Sequence, residues 1–248
     1  MDSKQQLKNY FAEAIFEFRW GSQQASLDTL PSLDYKLFLG NIFNNVKDKY
    51  PITKTLNNAK VPEELANGLV QYQFRKSDSE FPLLQAGPGV FTVNENNFSS
   101  LTTFKDTVLK GLDVLYKSYP NFSSLGNFKL VLNFIYGKEF NFGSQNVNDY
   151  INSQTKLNVS IDPKLLKEAG VEEKMKTMEA KFTLNSTNPQ GELLILIGKG
   201  KKEEKDALVW NISIVSEFKN ITNHNNVIQP WISEAEKSLN KISEGLIK

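Results

Sequence analysis

The sequence predicts an α+β protein: a curved, mostly antiparallel sheet with long helices on one face, built from two similarly ordered halves. Three observations carry this reading. Period-two alternation marks the first strand, apolar stripes at spacings of three and four close each half, and each half reads strand, helix, three strands, helix. The halves, residues 1–122 and 123–248, share pattern rather than residues and are expected to merge in one domain.

In the first half, Ala14, Phe16, Phe18 and Trp20 fall on one side of a strand, and Ile15, Glu17 and Arg19 on the other. This is the alternation of a strand with one face on a core. A loop containing Pro31 leads to a helix that Asp34 caps, with Tyr35, Phe38, Ile42, Val46 and Tyr50 on one stripe and Pro51 as its stop. Residues 57–67 read as a polar connection. Strands follow at 69–76 and across 83–94, the second broken at Gly87-Pro88-Gly89 by a tight turn or bulge. Leu101, Phe104, Val108, Leu112, Leu115 and Tyr119 then line a helix that Pro120 closes.

The second half opens on a long strand, 128–142, bent near Gly137. A short helix at 146–154 places Val147, Tyr150 and Ile151 together, and residues 163–168 form one helical turn in a stretch that is otherwise hard to place. Strands are expected at 176–185, 191–199 and 207–218, the last two as a hairpin with its tip at 200–205. Ile228, Ile232, Ala235, Leu239, Ile242 and Leu246 make the terminal helix. Two such halves side by side have the layout of the TATA-binding-protein saddle and leave a polar outer face on the sheet.

Composition excludes several chemistries. The 248 residues contain no cysteine, which removes disulfides, thiolate zinc sites, iron–sulfur clusters and cysteine nucleophiles, and the single histidine cannot form a two-histidine metal site. A formal charge of +1 gives no general attraction to nucleic acid or membrane surfaces. No apolar run approaches the ~18–20 residues of a membrane span, and the polar start at Met1–Gln6 is unlike a signal peptide, so a cytoplasmic location is expected.

Two segments carry a family resemblance. Glu13-Ala14-Ile15-Phe16-Glu17-Phe18-Arg19-Trp20, and Leu83-Leu84-Gln85-Ala86-Gly87-Pro88-Gly89-Val90-Phe91-Thr92-Val93-Asn94 with the helix containing Phe104 after it, resemble a sporadically distributed family of bacterial proteins without established biochemistry. That family continues with a strand written Leu-Arg-Tyr-Ile-Asn, where this chain has Leu132-Asn133-Phe134-Ile135-Tyr136. Its last helix carries a tryptophan, matched by Trp231, and then a histidine, where Glu236 stands. The resemblance implies a divergent member and a bacterial cytoplasmic protein, with the patchy distribution of mobile or defence-linked genes. It brings no catalytic residues.

The outer sheet face holds the most informative polar residues. The chain's only two arginines, Arg19 and Arg75, both fall there, with Glu17, Gln71 and Gln73, and Gln85, Thr92 and Asn94 join them. In a lysine-rich chain, arginine marks places that need a planar bidentate donor, which points to a carboxylate, phosphate or acidic peptide as ligand. The plainer reading, cross-strand Glu17–Arg19/Arg75 pairs that only solvate the sheet, outweighs it. Elsewhere, His224 reads as a surface loop residue, Gly198–Lys202 as a solvated hairpin tip, Glu172-Glu173 and Glu203-Glu204 as exposed turns, and Trp231 as a packing residue.

These readings lead to a non-catalytic binding protein, with no cofactor and no metal, that engages an unknown protein partner through the polar face or self-associates across the last helix. The alternative is a metal-free, thiol-free enzyme or sensor for a nucleotide or other phosphorylated small molecule, with Arg19, Arg75 and Glu17 converging in a deep pocket. Nucleic acid and membrane are not expected partners.

Overall fold

The computed structural model describes residues 3–21, 33–62, 65–125, 127–172, 175, 177–221 and 223–247. The expected loop at Pro31 and Glu173 of the expected acidic turn lie outside them. Nine strands form one antiparallel sheet: β1 (Phe11–Trp20), β2 (Ile52–Thr55), β3 (Tyr72–Arg75), β4 (Leu83–Gly87), β5 (Val90–Glu95), β6 (Phe128–Glu139), β7 (Glu179–Thr187), β8 (Gln190–Lys202) and β9 (Lys205–Phe218). Their order across the sheet is β2-β3-β4-β5-β1-β6-β9-β8-β7. The helices are α1 (Ser3–Tyr10), α2 (Leu33–Val46), α3 (Phe104–Ser118), α4 (Val147–Gln154), α5 (Pro163–Glu168) and α6 (His224–Leu246). The α+β class with a large antiparallel sheet is therefore observed, although only some of the helices are long.

The order departs from strand, helix, three strands, helix in both halves. β2 adds a fourth strand after α2, and α5 adds a second helix before β7. β2 is legible only as Ile52 and Lys54 half-hidden beside exposed neighbours, too short a run to register as periodic. α1 also precedes β1, held by Leu7 and by the edge of Tyr10 against Trp210, ring centroids 5.5 Å apart.

Period-two alternation in β1 decides where the core sits. Phe16 pairs across the sheet with Val93 and Leu132, and Phe18 with Phe91 and Leu130, and all six are fully buried. Each such aromatic or aliphatic side chain contributes ~1.5–3 kcal/mol by leaving water. Helices cover this face: Trp231 of α6 meets the Phe16 ring, and Phe38 of α2 meets Trp20 edge-on. α6 begins four residues earlier than its stripe indicates, at His224, with Asn223 as its cap, and tolerates Pro230 in its second turn. Asp34 stands inside the first turn of α2 rather than before it, where its charge still favours the helix N-terminus. The β8–β9 turn is tighter than expected: Glu203 and Glu204 alone join Lys202 to Lys205, both with left-handed backbone. No helix among the described residues is long and apolar enough to cross a membrane.

α3 approaches β5 closely because residue 111 is glycine. A Cβ there would collide with Cγ2 of Val93 and stand 3.4 Å from Cδ2 of Leu84. Val93 is fully buried and β-branched, which restricts its χ1 and makes its retreat costly. Alanine gains up to ~1 kcal/mol in helix propensity, whereas overpacking costs ~1–3 kcal/mol. Gly111→Ala is therefore expected to lower stability by about 1–2 kcal/mol, read as a lower urea midpoint; an unchanged or higher midpoint would show that α3 lifts freely from the sheet.

Candidate functional site

The same alternation that buries Phe16 and Phe18 turns Glu13, Glu17 and Arg19 to the outer face of β1. Two polar clusters form there. In the first, Arg19 Nε donates to Glu17 Oε2 at 2.6 Å, and Asn133 Nδ2, from β6, donates to Glu17 Oε1 at 3.1 Å. Arg19 Nη1 also donates to the Gly68 carbonyl at 3.2 Å. Gly68 has φ +78°, and a Cβ on it would stand 3.1 Å from that same nitrogen, so glycine both forms the turn and lets the guanidinium reach the backbone. With both carboxylate oxygens of Glu17 occupied, the guanidinium plane is fixed while its Nη2 hydrogens have no partner among the described residues.

In the second cluster, Asn94 Nδ2 donates to Glu13 Oε1 at 2.7 Å. The Thr92 hydroxyl lies 2.6 Å from Asn94 Oδ1 and 3.1 Å from Gln85 Oε1. Burial pushes the Glu13 carboxyl above its ordinary value, while the Asn94 hydrogen bond and the Arg75 charge pull it back. Arg75 itself donates to Gln73 Oε1 at 3.1 Å and to the Ser77 carbonyl at 3.4 Å, and lies over the Phe81 ring.

The two arginines thus share a face but serve different carboxylates. Gln73, Gln85, Thr92 and Glu17 form one row across β3, β4, β5 and β1. Arg19 lies two residues beyond that row and Arg75 two residues beyond it in the opposite direction, three strands away, which separates them by roughly 20 Å. Glu17, Gln73, Gln85, Thr92 and Asn94 stand on the outer face as their parity indicates. Gln71 does not join them: it precedes β3, and its amide accepts from the Tyr35 hydroxyl at 2.8 Å and donates to the Asn58 carbonyl at 3.4 Å. Its role is to tie the start of α2 to the β3 approach.

Where β1, β6 and β9 end together, a cleft of about 470 Å³ opens beside Arg19. Lys129 and Lys219 add two cations and Glu217 one carboxylate, with Asn67 and Asn127 also in its lining; Trp20 and Phe128 line it too, but both are buried and their rings pack into the core. Lys129 Nζ pairs with Glu217 Oε1 at 2.8 Å and holds that carboxyl below its usual range. Arg19 is about one-third exposed, against 15% for Glu17, so the cation presents itself to the cleft while its partner lies behind it. Such a site can donate from Arg19 to an oxyanion while Lys129 and Lys219 add positive charge beside it.

Lys129, Asn133 and Glu13 escaped the sequence reading, although outward parity on the strands that carry them marks all three. Asn67 and Gly68 have no such signal, because they arrive from a loop. His224 corrects the surface expectation: it is buried as the first residue of α6, packs against Phe122 and Phe128, and its Nε2 lies 2.8 Å from the Leu125 carbonyl. Trp231 is buried, and its Nε1 donates to Ser216 Oγ at 2.8 Å. Among the described residues no group of three or more histidines or carboxylates is placed to hold a metal ion.

No family model, curated protein or solved structure matches this chain.

Glu13 offers a test of the second cluster. A carboxyl raised above 4.5 in the folded state binds its proton more tightly there than in the unfolded chain, so its ionisation weakens the native state as pH rises past that value. Glu13→Gln keeps an acceptor for Asn94 and removes the ionisation. Urea denaturation should show equal midpoints near pH ~4 and a more stable variant near pH ~7; a less stable variant at neutral pH would mean that attraction to Arg75 outweighs burial.

Proposed function

We propose that this chain is a non-catalytic binding protein that engages an anionic group of its partner, a carboxylate or phosphate, in the cleft beside Arg19. One observation carries the reading: a guanidinium immobilised by Glu17 and the Gly68 carbonyl faces a 470 Å³ cleft that Lys129 and Lys219 also line. A donor already fixed by its own protein loses little freedom on binding, which is how preorganisation raises affinity. The roughly 20 Å between Arg19 and Arg75 supports binding along an open face rather than convergence of both arginines on one reacting group. A second reading, a sensor or enzyme for a nucleotide or other phosphorylated small molecule, is favoured by the gathering of Arg19, Lys129 and Lys219 in one cleft.

The architecture is read as two units that each place their first strand against their last. Support comes from the strand order, in which β1 neighbours β5 and β6 neighbours β9, with β1 and β6 adjacent at the join and the remaining strands running outward. A saddle-like duplicated domain with halves 1–122 and 123–248 accounts for that order. The reading also includes divergent membership of the sporadic bacterial family named by its motifs above, a cytoplasmic location, a link to mobile or defence genes, and a protein partner or a second copy bound across the last helix.

Inorganic pyrophosphate and a short oligoglutamate peptide are the probes. At low salt, both are expected to shift the amide resonances of Gly21, Gly68, Lys129 and Lys219 saturably, and Arg19→Ala should weaken the binding at least ~10-fold, a loss typical of one charge-assisted bond. Tighter binding of the peptide favours a protein partner, and tighter binding of pyrophosphate favours the small-molecule reading. Shifts that are absent, or that persist unchanged in Arg19→Ala, would remove the cleft as the site.

A further inference from the structure

A second cavity, about 230 Å³, lies on the helix-covered side of the sheet, between the end of α2, the β3–β4 connection and α3. Val46, Leu84 and Val114 give it apolar walls, and Gly111 adds backbone to its lining. Three lysines from three separate segments, Lys49, Lys76 and Lys110, line it. Among the described residues, none of the three pairs with a carboxylate, whereas Lys54, Lys129, Lys199, Lys201 and Lys205 all do. Asp78 pairs with Lys54, and of the other carboxylates nearby, Asp48 beside Lys49 and Asp106 and Asp113 on α3 form no ion pair among the described residues, while Glu95 lies within Coulombic range of Tyr50. Lys49 instead lies 5.8 Å from the centroid of the Tyr50 ring.

Three lysines lining one apolar hollow gather positive charge at its rim, which attracts an anion. We propose that this cavity binds a small organic anion, with its oxyanion head held by Lys49, Lys76 and Lys110 and a short apolar or aromatic body against Val46, Leu84 and Val114. The volume is below the ~300 Å³ at which pockets for drug-sized ligands begin, so one ring or a short chain fills it. The site is separate from the Arg19 cleft, which opens at the far end of the sheet and draws on the outer face.

Benzoate and phenyl phosphate serve as probes, with inorganic phosphate as the head alone and benzyl alcohol as the neutral body. The expected result is saturable shifts of the amide resonances of residues 45–50 and 107–114 with both aromatic anions. Binding of inorganic phosphate should be at least ~10-fold weaker, since burying a ring contributes more than the ~1.4 kcal/mol that factor represents. Lys49→Gln combined with Lys110→Gln should weaken phenyl phosphate at least ~10-fold, and Arg19→Ala should leave it unchanged. Both lysines are exposed, so the double variant is expected to keep its urea midpoint. The ratio of benzoate to phenyl phosphate affinity distinguishes a carboxylate head from a phosphate head. No saturable shifts at millimolar probe, binding that survives in the double variant, or equal binding of benzyl alcohol would each overturn the proposal. Loss of phenyl phosphate binding in Arg19→Ala would assign the anion to the other cleft.

Discussion

Everything in this molecule depends on how β1 is paired. It is held on one side by β5 and on the other by β6, in a register that aligns Phe16 with Val93 and Leu132, and Glu17 with Thr92 and Val131. A slip of one residue would carry Phe16 and Phe18 to the outer face and Glu17 and Arg19 into the core. The loss of aromatic burial and the desolvation of two charges would then act together. The strand is therefore specified twice, once by what it must hide and once by what it must not. Through the same pairing it joins the chain's two halves into one sheet.

The outer face is polar but not loosely solvated. Asn94, Thr92, Asn133 and Ser213 are all buried on it, each within hydrogen-bonding distance of a neighbouring side chain. A buried polar group without a partner costs ~1–3 kcal/mol, so these networks are a condition of the fold before they are a feature of any site. Where they stop matters more. Around Glu13 the Asn94 amide takes one carboxylate oxygen and Thr92 in turn bonds Asn94, with Arg75 nearby. Around Arg19 it is only partly absorbed, and the remainder faces a cleft at the sheet's end.

The two cavities differ in how they gather charge. Beside Arg19, each cation but Lys219 is tied to a carboxylate, which fixes its position and lowers its net field. Between α2 and α3, three lysines stand with no carboxylate paired to them among the described residues, so their geometry is looser. A planar fixed donor suits shape-specific recognition, and mobile ammonium groups suit attraction of an anion with little regard for its shape. One chain of near-zero net charge thus carries two local cationic surfaces that its total conceals.

The sequence by itself determined most of the elements and their faces. Alternation in residues 14–20 and the stripes in the segments of α3 and α6 are local signals, because burial of one face imposes the period on the chain. It also placed Glu17, Gln73, Gln85, Thr92 and Asn94 on the outer face, since parity within a strand needs no partner. Only the tertiary structure decided which of them meet. The distance between Arg19 and Arg75 depends on strand order, which no single strand encodes. Gln71 leaves the row because β3 starts after it, and a hydroxyl from α2 then takes its amide. His224 is buried because the rings of Phe122 and Phe128, about a hundred residues away in sequence, close over it. Both cavities are lined by residues from three or more segments, and their chemistry exists only once long-range packing has brought those segments together.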